Sequence, residues 1–144
     1  MYHYTEAGLQ NVWLANGYNV KKTKYGEAVS IEDAEGLHLA IGRALARKSH
    51  LTGCEFRFLR KELDLSQHRL ADLLGTTEQT VALWERRGKI PQTADRMFRA
   101  IYLETIDGNV KLKELIERVA DLDRKEEEKM VFQDTDDGWF PKAA

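Results

Sequence analysis

The segment from Leu65 to Glu85 constrains the fold more than any other part of the chain. Ala71 is a small residue within an apolar helical pattern, and a small side chain lets two helices cross at close range. Four residues later, Gly75 lacks a Cβ atom and can therefore adopt the left-handed conformation of a tight turn. A new helix begins at Thr77. The spacing predicts two short helices that cross closely and are joined by this turn.

Helical periodicity continues on both sides of the turn. Val81 and Trp84 are the inward positions of the helix that begins at Thr77, so its start and one side face outwards. A helix that is packed on its inner side and exposed on its outer side fits the major groove of DNA. The pattern therefore predicts a helix-turn-helix. The predicted four-helix unit, residues 54–106, comprises Cys54–Leu63, Ser66–Gly75, a helix from Thr77 to the loop Gly88–Pro91, and Thr93–Ile106.

The block Leu65–Glu85 strongly resembles the Cro/CI family of repressors, which is also called the XRE family. The resemblance implies a lambda-repressor-like bundle and a sequence-specific DNA-binding regulator that acts as a repressor. Repressors of this class commonly read palindromic operators with two recognition helices about 34 Å apart, so a homodimer is also implied. The expected partner is double-stranded DNA, and no cofactor is implied.

The resemblance assigns DNA-contact roles to individual residues of this sequence. Gln67, at the start of the second helix, is expected to hold a phosphate and to fix the register of the protein on DNA. The exposed start of the recognition helix is expected to read bases through Thr77, Glu78, Gln79 and Thr80. Glutamine pairs with adenine, glutamate accepts from cytosine N4, and threonine touches a phosphate or a thymine methyl group. Phosphates repel the carboxylate of Glu78, so the alternative for this residue is to cap the helix start.

Positive charge for the DNA backbone must be local, because the net charge of the chain is -2. The resemblance places Arg86, Arg87 and Lys89 in a loop after the recognition helix, near the DNA backbone. These three side chains are expected to contact phosphates. The alternative is that they are ordinary solvated surface residues.

Residues 1–50 are expected to form a small α+β module. Asn16-Gly17 lies between two β-like segments, Asn11–Ala15 and Tyr18–Lys21, and predicts a two-residue hairpin turn. A third strand, Glu27–Ile31, follows the turn that ends at Gly26 and completes a meander.

A helix that covers this small sheet is expected next. Ser30 and Asp33 resemble a capping arrangement, and apolar residues then recur at helical spacing at Leu37, Ala40, Ile41, Ala44 and Leu45. His38 lies beside this apolar stripe and is assigned a structural role, because no cysteine is nearby to share a metal. The polar stretch from Lys48 to Gly53 predicts the boundary between the module and the helical unit.

The order of the two parts resembles antitoxins of the MqsA/YgiT type, as do the segments Tyr4–Leu9, Asn16-Gly17 and Gly36–Ile41. Those antitoxins join an N-terminal zinc domain to a Cro/CI-like domain. The resemblance implies the antitoxin of a type II toxin-antitoxin pair, with a toxin protein as partner and repression of its own operon. Paired cysteines hold zinc in that family, whereas this chain has one cysteine, Cys54, so the zinc site must be lost. The alternative is a stand-alone, phage-derived repressor whose N-terminal module dimerises or senses a ligand.

Apolar residues from Val110 to Leu122 recur at helical spacing and predict an amphipathic helix over residues 109–128. This helix either packs back onto the four-helix unit or contributes to a dimer interface. Residues 129–144 are predicted to form an acidic tail. With four helices in the central unit and one on each side, the predicted fold class is mainly α.

Composition argues against other classes of protein. The chain has no glycine-rich phosphate loop, no set of metal ligands at metal-binding spacing and no nucleophile motif around its four histidines, so an enzyme is not expected. A single cysteine fits a reducing cytosol. No apolar run approaches the roughly 20 residues that cross a bilayer, so we expect a cytoplasmic protein without a membrane partner.

Overall fold

The computed structural model describes residues 1–108, 114, 117, 129 and 131–142. Five helices are described: α1 Ala34–Ala46, α2 Gly53–Glu62, α3 Gln67–Leu74, α4 Glu78–Arg87 and α5 Gln92–Ile106. Six short strands form three antiparallel pairs: β1 Tyr2–His3 with β2 Trp13–Leu14, β3 Tyr18–Thr23 with β4 Gly26–Ile31, and β5 Val131–Thr135 with β6 Gly138–Lys142. The described part of the chain is mainly α, as predicted. None of its helices is both long and apolar enough to cross a membrane.

Local side-chain signals set the ends of the central helices. The hydroxyl of Thr52 accepts from the Glu55 backbone N–H, and the Glu55 carboxylate accepts from the Thr52 N–H, which is a complete capping box. Ser66 caps α3, and Thr77 caps α4. Gly75 ends α3 in the left-handed conformation, at φ 72°. The four predicted helices are therefore confirmed, with ends that differ by at most one residue.

One buried core extends across the predicted boundary at residues 48–53. Leu9, Leu45 and Leu51 belong to the same cluster of buried side chains as Phe56 and Phe98. Helix α1 packs on α5 and α2. The division of the chain at this stretch stays a prediction, but the hydrophobic residues on its two sides are packed together.

The strand pairing in the N-terminal part corrects three predictions. Asn16-Gly17 does not form a hairpin turn, because Trp13–Leu14 pairs with Tyr2–His3. The strands form two-stranded sheets and no meander, and α1 packs on α5 and α2. The third strand and the turn before it are confirmed, since Tyr18–Thr23 pairs with Gly26–Ile31.

The physical reasons lie in a competing strand and in burial. The segment before Gly17 is paired with Tyr2–His3, whereas β3 is paired with β4 along all six of its residues. Ile41 and Leu45 of α1 are buried in the core, where they lose more contact with water than they would against an exposed hairpin. The helix begins at Ala34, and its cap is Asp33, whose Oδ1 accepts from the Gly36 N–H at 3.1 Å. The predicted cap at Ser30 is wrong by three residues.

His38 has the structural role that the sequence predicts. Its Nε2 is hydrogen-bonded to the Tyr4 hydroxyl at 2.8 Å, and its Nδ1 contacts the Glu62 carboxylate on α2. Burial raises the pKa of Tyr4 above its ordinary value, and the nearby Glu6 and Glu62 raise it further. Both ring nitrogens of His38 therefore join the N-terminal segment and α1 to the end of α2.

The described C-terminal residues form a hairpin that the sequence analysis did not predict. Asp134 pairs with Trp139, and Gly138 lies just after the turn at φ 112°. Asp-Asp-Gly between two β-like segments is a turn signal. The predicted helix at 109–128 lies outside the described residues apart from Glu114 and Glu117.

Gly53 lies directly against the backbone of α4, and its replacement is expected to destabilise the fold. A Cβ atom at this position would lie 2.2 Å from the backbone oxygen of Glu85, so one helix has to move. We expect Gly53→Ala to lower the free energy of unfolding by about 1 to 3 kcal/mol, measured by urea denaturation. Cys54→Ala, at the exposed neighbouring position, is the control and should change it by less than about 0.5 kcal/mol. Equal effects of the two substitutions would contradict this packing.

Candidate nucleic-acid interface

Helices α3 and α4 are held against each other by a short turn. Ala71 and Val81 are buried at 1% and 0% exposure, and the Thr76 backbone N–H donates to the Ala71 carbonyl at 2.9 Å. Trp84 is partly buried and meets Phe56 edge to face, with ring centroids 6.0 Å apart. These contacts fix the inner side of α4, so its first turn and outer side remain accessible.

The first turn of α4 presents polar side chains to solvent. Thr77, Glu78 and Gln79 are exposed, and Thr80 is partly exposed. The Thr77 hydroxyl accepts from the Thr80 N–H at 3.2 Å and lies 2.9 Å from the Thr80 hydroxyl, so both threonines take part in the helix cap. The Glu78 carboxylate lies 3.8 Å from Nδ1 of His68 on α3. Gln79 is therefore the amide side chain of this turn that faces solvent.

A buried ion pair joins α2 to α4 beneath this surface. Nη2 of Arg60 donates to Glu85 at 2.9 Å, and Nη1 donates to the Leu65 carbonyl at 2.9 Å. The two charged side chains are only 10% and 5% exposed. The amide of Gln67 also donates to Glu85, at 3.3 Å. Glu85 thus holds the start of α3 and the last turn of α2 to one face of α4.

Sequence reasoning missed this ion pair, although a signal was present. Arg60 lies four residues after Phe56, and Glu85 lies four residues after Val81, so both charges share the inward helical phase. A charge in that phase is buried, and it needs an opposite charge or a hydrogen-bond partner because an unpaired buried charge is costly. Which partner it finds depends on the tertiary structure.

A cleft of about 620 Å³ opens between α2 and the α3–α4 pair. It is lined by Arg57, Arg60, Ser66, Gln67, Glu78, Ala82, Glu85 and Arg86. Gln67 is partly buried there, at the capped start of α3. Arg57 is not among the predicted site residues, none of which lies on α2. Two cations whose side chains reach the cleft, Arg57 and Arg86, are exposed on its sides.

The structure places the predicted basic residues differently from the sequence analysis. Arg86 and Arg87 lie in the last turn of α4 rather than in a loop, because the helix continues to its cap at Gly88. Positive side chains are favourable at a helix C-terminus, where the helix dipole is negative. Lys89 follows the cap in the loop, and all three side chains are exposed. Arg86 lines the cleft, whereas Arg87 and Lys89 lie outside it.

Comparison with known proteins agrees with this geometry. Residues 56–99 match the family model described as "Helix-turn-helix". The matched span begins on α2, contains the whole of α3 and α4, and ends on α5. No curated protein and no solved structure matches the chain. The match and the exposed first turn of α4 together support a DNA-binding transcription regulator. Residues 56–99 therefore have both the sequence pattern and the geometry of a helix-turn-helix domain.

Proposed function

We propose that the protein is a sequence-specific repressor that reads bases with the first turn of α4. The observation that carries the proposal is the contrast between the two sides of this helix. Its inner side is fixed by Val81 and by the ion pair of Glu85 with Arg60, whereas Glu78 and Gln79 are exposed. A helix whose backbone is held rigidly can present an amide to the adenine edge with defined geometry. Gln79 is therefore the proposed base-reading residue, with Thr77, Glu78 and Thr80 beside it.

The cations around the cleft are proposed to contact phosphates. Gln67 at the capped start of α3 has an amide that can donate to a phosphate oxygen, and the helix dipole favours an anion there. Arg57 and Arg86 line the same cleft. Arg87 in the last turn of α4 and Lys89 after its cap add further exposed positive charge. Contacts of this kind position the protein on DNA without reading sequence.

The proposal includes a homodimer on a palindromic operator, because one recognition helix covers too few base pairs to specify a unique site. Two copies would place their α4 helices one helical turn of DNA apart, which is about 34 Å. Selection of bound fragments from the source genome tests this arrangement. We expect an enriched palindrome with half-sites about 10 base pairs apart that lies upstream of the protein's own gene. Fragments without a shared sequence would contradict the proposal.

Gln79→Ala is expected to weaken binding to the selected site and to leave binding to unrelated DNA unchanged. Loss of a bidentate base contact costs about 1 to 3 kcal/mol, and non-specific binding depends on phosphates instead. Fluorescence anisotropy on both duplexes measures the two affinities. Arg86→Ala is the matched comparison, since loss of a phosphate contact should weaken both and lower the salt dependence by about one unit. Equal losses on both duplexes for Gln79→Ala would remove this residue from the base contacts.

The antitoxin function is proposed on the resemblance of the N-terminal segments alone. If it is correct, a small basic protein encoded beside this gene should form a complex with the full chain and inhibit growth when it is expressed alone. Co-expression of the two proteins and a growth assay test both expectations. Growth inhibition without a complex, or a complex without inhibition, would favour the stand-alone repressor whose N-terminal part dimerises or senses a ligand.

A further inference from the structure

We propose that the hairpin β3–β4 is a second DNA-contacting element, which lies against the sugar-phosphate backbone beside the site that α4 reads. The proposal rests on the proposed function of α4. It concerns a surface outside residues 56–99 and assigns to it one ligand, the phosphate backbone of duplex DNA.

Charge is concentrated at the tip of this hairpin. Lys21 and Lys22 lie near the end of β3, and Lys24 lies in the turn, whereas the single carboxylate between Tyr18 and Ile31 is that of Glu27. The chain as a whole has a net charge of -2, so this cluster is a local excess of positive charge. Within the part of the chain that the structure describes, none of the three lysines has a carboxylate within ion-pair distance. Such ammonium groups are free to neutralise phosphates and release their counterions.

The shape of the hairpin suits a contact with a long, regular polyanion. Every residue from 19 to 28 is exposed, and among the described residues the hairpin has no extensive packing against a helix. Strands of six residues extend about 20 Å from the root of the hairpin. At the tip, Tyr25 is 95% exposed, and its hydroxyl can donate to a phosphate oxygen. A two-stranded ribbon with this reach can follow the backbone next to a helix that occupies the major groove.

The root of the hairpin is connected through α1 to the end of α2, which precedes α3 in the chain. Strand β4 leads into α1 through the cap at Asp33, and His38 of α1 is joined to Glu62 at the end of α2. The chain then passes from α2 to Ser66, which caps α3 in front of Gln67. The hairpin therefore leaves the domain near the end of α2. Gln67, the proposed phosphate contact, follows this end of α2 in the chain.

Arg57 provides a cation between the N-terminal segment and the reading helix. It lines the cleft beside α4 and also a second cleft of about 310 Å³, which is formed in part by Glu6, Ala7 and Gly8. The outer face of α2 thus connects the N-terminal part of the chain with the proposed interface. A duplex that contacts Arg57 therefore lies against α2, whose end is connected to the hairpin through α1.

The test compares the full chain with the triple variant Lys21→Gln/Lys22→Gln/Lys24→Gln on the site selected by the wild-type protein. The slope of log affinity against log salt concentration should fall by about two to three units, since each phosphate contact contributes about 0.9. Hydroxyl-radical protection of the backbone beside the core site should be lost, while base preference in the core site stays the same. The substituted side chains are exposed, and circular dichroism checks that the helices are intact.

Glu27→Gln is the matched control on the same hairpin, because it removes a carboxylate opposite Lys22. It should strengthen binding or leave it unchanged. An unaltered slope and footprint for the triple variant would overturn the proposal. The same result is expected if the hairpin binds a protein instead of DNA. If the wild-type chain shows no preferred site, the proposal that α4 reads bases is wrong. The slope of log affinity against log salt concentration is then measured on a duplex of random sequence. Loss of two to three units there would still support the hairpin contact, whereas no loss, or no binding to any duplex, would overturn it.

Discussion

Replacing Glu85 with alanine is expected to lower the free energy of unfolding by about 3 to 5 kcal/mol. The substitution leaves the guanidinium of Arg60 in a site where it is only 10% exposed and has lost the carboxylate that it contacts through two nitrogens. Removing one partner of a buried pair is costly because the other charge stays desolvated. Urea denaturation of the full chain measures the change.

The double variant Arg60→Met/Glu85→Leu separates this explanation from a general loss of packing. With both charges removed, no unpaired charge remains buried, so the double variant should be more stable than Glu85→Ala. A loss of less than about 1 kcal/mol for Glu85→Ala would show that the pair is not desolvated in solution. Glu85→Ala should also weaken DNA binding beyond its effect on folding, because Gln67 loses the contact that holds its amide in the cleft.

Asp95→Ala is expected to have an effect of similar size, about 3 to 5 kcal/mol. Asp95 is 2% exposed, accepts from the Leu51 backbone N–H at 2.7 Å and forms an ion pair with Arg99. Arg99 donates in turn to backbone carbonyls of the loop after α1, including those of Lys48 and Ser49. The substitution therefore leaves a buried N–H and a largely buried guanidinium without their carboxylate.

Asp107→Ala provides the matched control for Asp95→Ala. Asp107 also pairs with an arginine, Arg43, but the two side chains are 54% and 43% exposed. An exposed ion pair contributes about 0 to 1 kcal/mol, so this variant should unfold close to the wild-type midpoint. Similar losses for the two variants would contradict the role given to burial.

A single unfolding transition in wild type would further indicate that the segments on both sides of residues 48–53 unfold together.

The helix-turn-helix was predictable because its signals are local. Ser66 and Thr77 cap helices that begin one residue later, and Gly75 ends α3 where a left-handed residue is needed. Each signal acts within a few residues, and the helical period of the apolar residues supplies the rest. The predicted base-reading residues follow from this framework, since the outward phase of α4 is set by Val81.

The long-range contacts were not predictable in the same way. Arg60 and Glu85 are 25 residues apart, and Leu51 and Asp95 are 44 residues apart, so no local pattern shows which partner each group finds. The predicted strand pairing at Asn16-Gly17 is wrong for a related reason. A favourable turn sequence does not decide which strands pair when another segment, here Tyr2–His3, offers a competing partner.

The central claim is that α4 reads DNA sequence, and the ratio of two affinities tests it most directly. The full chain is titrated at one salt concentration with the selected operator and with a duplex of the same length and composition in scrambled order. A specific reader of this kind should bind the operator at least about 1,000 times more tightly. A ratio close to one, with both affinities falling equally as salt is raised, would contradict the account and leave only a non-specific attraction to phosphate.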